Sequence, residues 1–90
     1  MIKFEYSRHF QKEIRRIVAM RPDVKAQFDS LFDLLASGKP LPAHYRDHPL
    51  KGNYRGYRDC HLGGDLVIIY SRGAAVIRFS RIGSHSELFG

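Results

Sequence analysis

The stretch Gly38-Lys39-Pro40-Leu41-Pro42 divides this chain into two halves with different hydrophobic periods, and that division limits the fold more than any other feature. From Ser7 up to it, apolar residues recur every three or four positions, the repeat of a helix with one buried face. After it they alternate, the repeat of strands. Two prolines behind a glycine stop a helix and keep it from restarting. A chain that passes from helical to strand period at such a break is neither an all-helical bundle nor a β-sandwich. It is an α+β domain in which helices cover one face of an antiparallel-rich sheet.

Within the first half, Ile2, Phe4 and Tyr6 alternate with Lys3 and Glu5 and predict a short strand. Ser7 is placed to cap a helix whose apolar side carries Phe10, Ile14, Ile17 and Val18. Arg21 precedes Pro22 and ends that helix, and Pro22-Asp23 suits the first turn of a second. Val24, Phe28, Leu31, Phe32 and Leu35 form its stripe, and Gly38 stops it. So short a link predicts an antiparallel helical hairpin. In the second half, strands are expected near His48–Lys51, Tyr57–Leu62, Leu66–Tyr70 and Ala75–Ile82. Gly52–Gly56, Gly63-Gly64 and Arg72-Gly73 supply the turns, and GSHSELFG is left as a tail.

Fifteen Lys+Arg against nine Asp+Glu leave a formal charge of +6 on 90 residues, an excess that calls for a polyanionic partner. Neither an apolar run near the ~20 residues of a membrane span nor a signal-peptide core is present, so a cytoplasmic protein is expected, with no membrane partner. Cys60 is the one cysteine and has no internal disulfide partner. Its alternation with Asp59 and His61 aims it at the opposite side of the sheet, as a small apolar residue.

The residues with chemistry concentrate in HYRDHPLKGNYRGYRDCH, from His44 to His61. Three of the five histidines lie there, among two aspartates, four basic residues and three tyrosines. Imidazoles move protons near neutral pH, guanidinium groups neutralise phosphates and aromatic rings stack on bases. A solvated basic hairpin has much the same composition.

Three motifs decide between these. The run YRDHPLKGNYRGYRDCH, then DLVIIY, then RIGSHSELFG, resembles the YafQ branch of the RelE-like toxins, ribosome-dependent mRNA endonucleases of bacterial type II toxin–antitoxin pairs. The likeness is dense from about Tyr45 to Gly90 and rests, in the N-terminal half, on the order strand–helix–helix. It implies that residues 1–90 form one domain of RelE-like microbial RNase fold, with the active site on the concave face of the sheet. It also implies cleavage of mRNA in the A site of the 70S ribosome and neutralisation by a cognate antitoxin. No cofactor is expected, since two histidines can carry both proton transfers. The family's functional positions are matched by His48, Asp59, His61, Asp65, His85 and Phe89. Three departures stand out: Tyr54 where tryptophan is common, Cys60 where a residue such as alanine is common, and Gly63-Gly64 in place of a stiffer link before Asp65.

Metal-independent RNA cleavage needs a base for the ribose 2′-OH, an acid for the leaving 5′-oxygen, and donors for the charge at phosphorus. His48 as base and His85 as acid are the expected pair, although the sequence does not separate the two roles. His61 and Asp65 are expected to orient the partner histidine or bind substrate, and Asp59 to fix a tautomer or a charge. Phe89 is expected either to anchor the tail or to stack on a base, and both can hold together. Arg46, Arg55, Arg58 and Arg81 are candidate phosphate contacts, with Arg81 foremost. His9 and His44 carry no functional expectation. A zinc site is the rival reading of the His/Asp set. His44 and His48 need a helix to reach one metal, and Pro42 and Pro49 oppose one. Among non-enzymatic readings are a catalytically weak antitoxin-binding protein and a plain RNA- or DNA-binding module; the latter explains the charge but not the clustered imidazoles and carboxylates.

Overall fold

The computed structural model describes residues 2–90. Strand β1 (Lys3–Tyr6) leads through Ser7 into helix α1 (Arg8–Met20). The Ser7 hydroxyl accepts from the Phe10 backbone N–H at 3.0 Å, satisfying one of the free donors of the first turn. Helix α2 (Asp23–Ala36) follows and ends before Gly38, whose φ of +76° lies in the left-handed region that glycine enters at no steric cost. Short 3₁₀ turns at Ala43–Tyr45 and Gly52–Tyr54 flank the two-residue strand β2 (His48–Pro49). Strands β3 (Arg58–Gly63), β4 (Leu66–Arg72) and β5 (Val76–Ser84) complete a five-stranded sheet in the order β1-β5-β4-β3-β2. Only β1 runs parallel to its neighbour; the other pairs are antiparallel.

The two helices cover one face. Phe10, Val24, Leu31, Leu35, Cys60, Ile68, Tyr70, Ile77, Phe79 and Ile82 are buried between helices and sheet, in one cluster. Phenylalanines dominate it: Phe4 stacks on Phe32 at 4.0 Å, and Phe79 receives Phe10 at 5.3 Å and Phe28 at 5.1 Å. Cys60 points into this core, as its alternation predicts.

Strand β4 is buried on both sides, which accounts for its unbroken run LVIIY. Its even residues face the helices, while Val67 and Ile69 pack with Leu88, Leu50, Tyr54 and Tyr57 on the other face. That second, smaller cluster is the floor on which the candidate side chains stand.

Strand β4 runs on to Arg72, so the turn into β5 begins at Gly73, and three further differences from the sequence expectation bear on the site. The strand at His48 ends at Pro49, because proline brings no N–H to the ladder and the 3₁₀ turn at Gly52 starts almost at once. Strand β3 keeps Gly63, through an irregularity between His61 and Gly63, so the turn into β4 falls on Gly64-Asp65 rather than Gly63-Gly64. Strand β5 runs past Ile82 to Ser84, which pairs with Leu66, and the tail is helix α3 (His85–Phe89). Its cause is a capping box: the Ser84 hydroxyl accepts from Glu87 N–H at 3.2 Å, and the Glu87 carboxylate accepts from Ser84 N–H at 2.8 Å.

Candidate active site

Asp59 and His61 alternate with the core-facing Arg58, Cys60 and Leu62, and so project from the face of the sheet away from the helices. His48 is the cross-strand partner of Asp59, and its Nδ1 lies 3.1 Å from Asp59 Oδ1. The same Nδ1 is 2.8 Å from the Arg46 carbonyl. A carbonyl only accepts, so Nδ1 carries the proton and the Nε2 lone pair of neutral His48 is free.

The Asp59 side chain is 3% exposed, and its Oδ1 makes no hydrogen bond of good geometry, the imidazole N–H being aimed at Arg46. Burial pushes the Asp59 carboxyl up from its ordinary value, and the imidazoles of His48, His61 and His85, in that order of strength, oppose the shift. All three imidazoles therefore lie within electrostatic reach of this one carboxyl.

His85 opens α3, directly after the last ladder residue Ser84. Its Nδ1 meets Asp65 Oδ1 at 3.3 Å, and its ring lies 5.1 Å from that of His61. The Phe89 ring lies 5.9 Å from that of His85 and meets Tyr54 edge-to-face at 5.9 Å. Leu88 pins α3 to the floor, while Phe89 stays substantially exposed. Strand ladder, capping box and Leu88 thus bring His48, His61, His85, Asp59, Asp65 and Phe89 to one face.

The arginines divide. Arg58 is gripped by Asp47 through Nε and Nη2 at 3.0–3.2 Å, and Tyr70 donates its hydroxyl to the same carboxylate. The hydrogen bonds to Asp47 hold the Arg58 guanidinium above its ordinary value, and burial pushes the Tyr70 phenol up. This network lies on the helix side of β3, away from the imidazoles, and removes Arg58 from the set of arginines facing the site. Arg81 makes a bidentate pair with Glu13 of α1 at 2.7–3.1 Å, while Glu13 also accepts from the Ile82 backbone N–H at 3.1 Å. Tyr54 stands beside that guanidinium, so Arg81 borders the site but is already neutralised. Arg46 and Arg55 are exposed and make no ion pair among the described residues. Asp47 and Glu13 were missed in the sequence because no local pattern ties them to their arginines. No group of three or more His, Cys, Asp or Glu residues among those described is arranged to hold a metal ion.

A helical hairpin on one face of a mixed sheet, with imidazoles and carboxylates gathered on the other, is the RelE-like toxin fold. Within it the chain belongs to the YafQ family: the model for the bacterial toxin of type II toxin–antitoxin system, YafQ, matches residues 2–90. The mRNA interferase toxin YafQ of Escherichia coli K12 is 37% identical over 86 residues, covering 96% of this chain and 94% of the relative. The toxin in the E. coli DinJ–YafQ toxin–antitoxin complex superposes with a TM-score of 0.86 at 38% identity, covering 99% of this chain and 98% of that one. A metal-bound toxin from Helicobacter pylori superposes at 0.87 with 37% identity over 99% of this chain and all of that one. No helix among the described residues is long and apolar enough to cross a membrane.

Proposed function

We propose that this protein is an mRNA interferase that cuts mRNA in the A site of the translating ribosome by acid–base chemistry at the ribose 2′-OH, and that a cognate antitoxin neutralises it. The observation carrying this reading is the convergence of His48, His61 and His85 around buried Asp59, on an open face of a strongly basic domain. His48 acts as base: with Nδ1 committed to the Arg46 carbonyl, Nε2 takes the 2′-OH proton. The 2′-oxygen attacks phosphorus, and the 5′-oxygen leaves with a proton from Nε2 of His85, whose Nδ1 donates to Asp65. His61, beside His85, binds the phosphate or holds the second ring in place. Phe89 offers a ring face to a base. Membership of a family with interferase relatives, and the E. coli relative's complex with DinJ, support the activity and the partner.

The test is primer extension on mRNA in a translating extract, with protein stripped by EDTA and assayed in the magnesium that ribosomes require. Cuts confined to ribosome-bound mRNA, undiminished by the stripping, are expected. Activity that returns only with added zinc, copper or manganese would overturn the histidine mechanism, and the metal-bound Helicobacter pylori relative makes this arm necessary. A protein that cuts nothing would be an antitoxin-binding protein of the same fold.

A further inference from the structure

His44, which has no role in the chemistry above, lines a separate cleft of about 280 Å³ with Arg46, His61, Leu62, Gly63 and Gly64. Strand β2 pairs with β3 only as far as Asp59, so the outer edge of β3 from Cys60 to Gly63 has no strand beside it. The 3₁₀ turn Ala43–Tyr45 stands opposite that edge instead, anchored by the buried Tyr45 ring. The His44 imidazole lies against Tyr45 at 4.4 Å and stays exposed. Arg46, in the left-handed region at φ +50°, joins the cleft to the face that carries the imidazoles: its carbonyl receives His48 Nδ1, and the residue also lines the cleft. His61 is shared by both, lying 5.1 Å from the His85 ring and forming one wall of the cleft.

The lining has the chemistry of a nucleotide site. It carries two imidazoles and one unpaired guanidinium, and no carboxylate. The far wall is glycine, and a side chain added at Gly64 would stand in open space, so a ligand can lie along the backbone there. An anionic, planar, flexible ligand suits it: a guanidinium takes the phosphate and an imidazole face takes the base.

We propose that this cleft is a subsite for the nucleotide next to the scissile phosphate on the His61 side, with His44 and Arg46 as its base- and phosphate-binding groups. The proposal rests on the RNA-cleaving reading above and adds to it a position at which sequence preference is set. Loss of the His44 ring removes binding that substrate and transition state share, so it raises KM and leaves kcat nearly unchanged.

The experiment has two arms. In the first, His44→Ala and His44→Glu are compared with the parent in cleavage of ribosome-bound mRNA. KM is expected to rise by about fivefold or more, on the scale of one lost base contact, with kcat within about twofold and a changed ranking of cut sites. In the second, a 2′-O-methyl RNA hexamer, which carries no 2′-OH to react, is titrated into the parent protein. The NMR resonances of His44, Gly63 and Gly64 are expected to shift together with those of His61. A hexamer that shifts His48 and His85 but leaves His44, Gly63 and Gly64 unmoved overturns the subsite and leaves the cleavage reading standing, as do His44 variants with parental KM and cut pattern. Hexamer binding in the cleft by a parent that cuts no mRNA overturns the cleavage reading alone.

Discussion

Asp59 stands at the centre of the site and at a cost to the fold. Its carboxyl is nearly sealed from water, has one oxygen without a proper hydrogen bond, and is raised above its ordinary value by burial. A group raised on folding contributes its full stability below its unfolded value near 3.9, and that contribution is lost as pH rises through the raised folded value. Asp59→Asn keeps the shape without the charge. It should match the parent's stability in acid and exceed it at neutral pH, while cleavage falls because the three imidazoles lose their counter-charge. Thermal melts across the acid and neutral range check this; an Asn variant that is less stable than the parent at pH 7 would refute it. Alternation in RDCHLG made the placement of Asp59 and His61 on one face, and Cys60 on the other, legible in the sequence. The partners of Arg58 and Arg81 were not. Asp47 and Glu13 lie 11 and 68 residues away from them, and only the folded sheet brings each pair together.

At the scale of elements, α3 carries two of the candidate site residues, His85 and Phe89, and is the one helix read only as a docked tail. Its signal was present as Ser84-x-x-Glu87, but five residues after a strand are too few for helical periodicity to show. Ser84 and Glu87 satisfy each other's backbone N–H groups, and Leu88 docks the turn. The hydrogen bonds from Ser84 hold the Glu87 carboxyl below its ordinary value, so its contribution to the cap is present above its unfolded value and lost as pH falls through the lowered folded one. Ser84→Ala should cost about 1 kcal/mol, the usual worth of a cap. Cleavage should fall several times further than the lost stability explains, because His85 and Phe89 ride on that turn. Melts and cleavage rates measured on the same preparation separate the two effects. Activity that tracks the folded fraction alone would show that α3 does not orient His85. The helical hairpin, by contrast, was legible nearly to the residue, since its caps and stripes are local.

At the scale of the whole molecule, a sheet with a large packed cluster on one face and a small one on the other separates stability from chemistry. The phenylalanine-rich core lies between helices and sheet, and the opposite face, floored by Val67, Ile69 and Leu88, carries the imidazoles. The division follows from the change from helical to strand period at Gly38–Pro42, which is why the fold class, and the face on which most of the candidate residues gather, could be read in advance. Which face each arginine serves could not, because that depends on the partners the helices supply. In the mechanism proposed above, His48 and His85 are the proton-transfer pair on a scaffold that does not need them. Both are about half exposed, so truncating either should cost little stability, about 0.5 kcal/mol or less. The direct measurement is the cleavage rate of ribosome-bound mRNA by primer extension for His48→Ala and His85→Ala, beside thermal melts. Each variant should melt with the parent and cut at least ~10²-fold more slowly; either one cutting at the parental rate would contradict the claim.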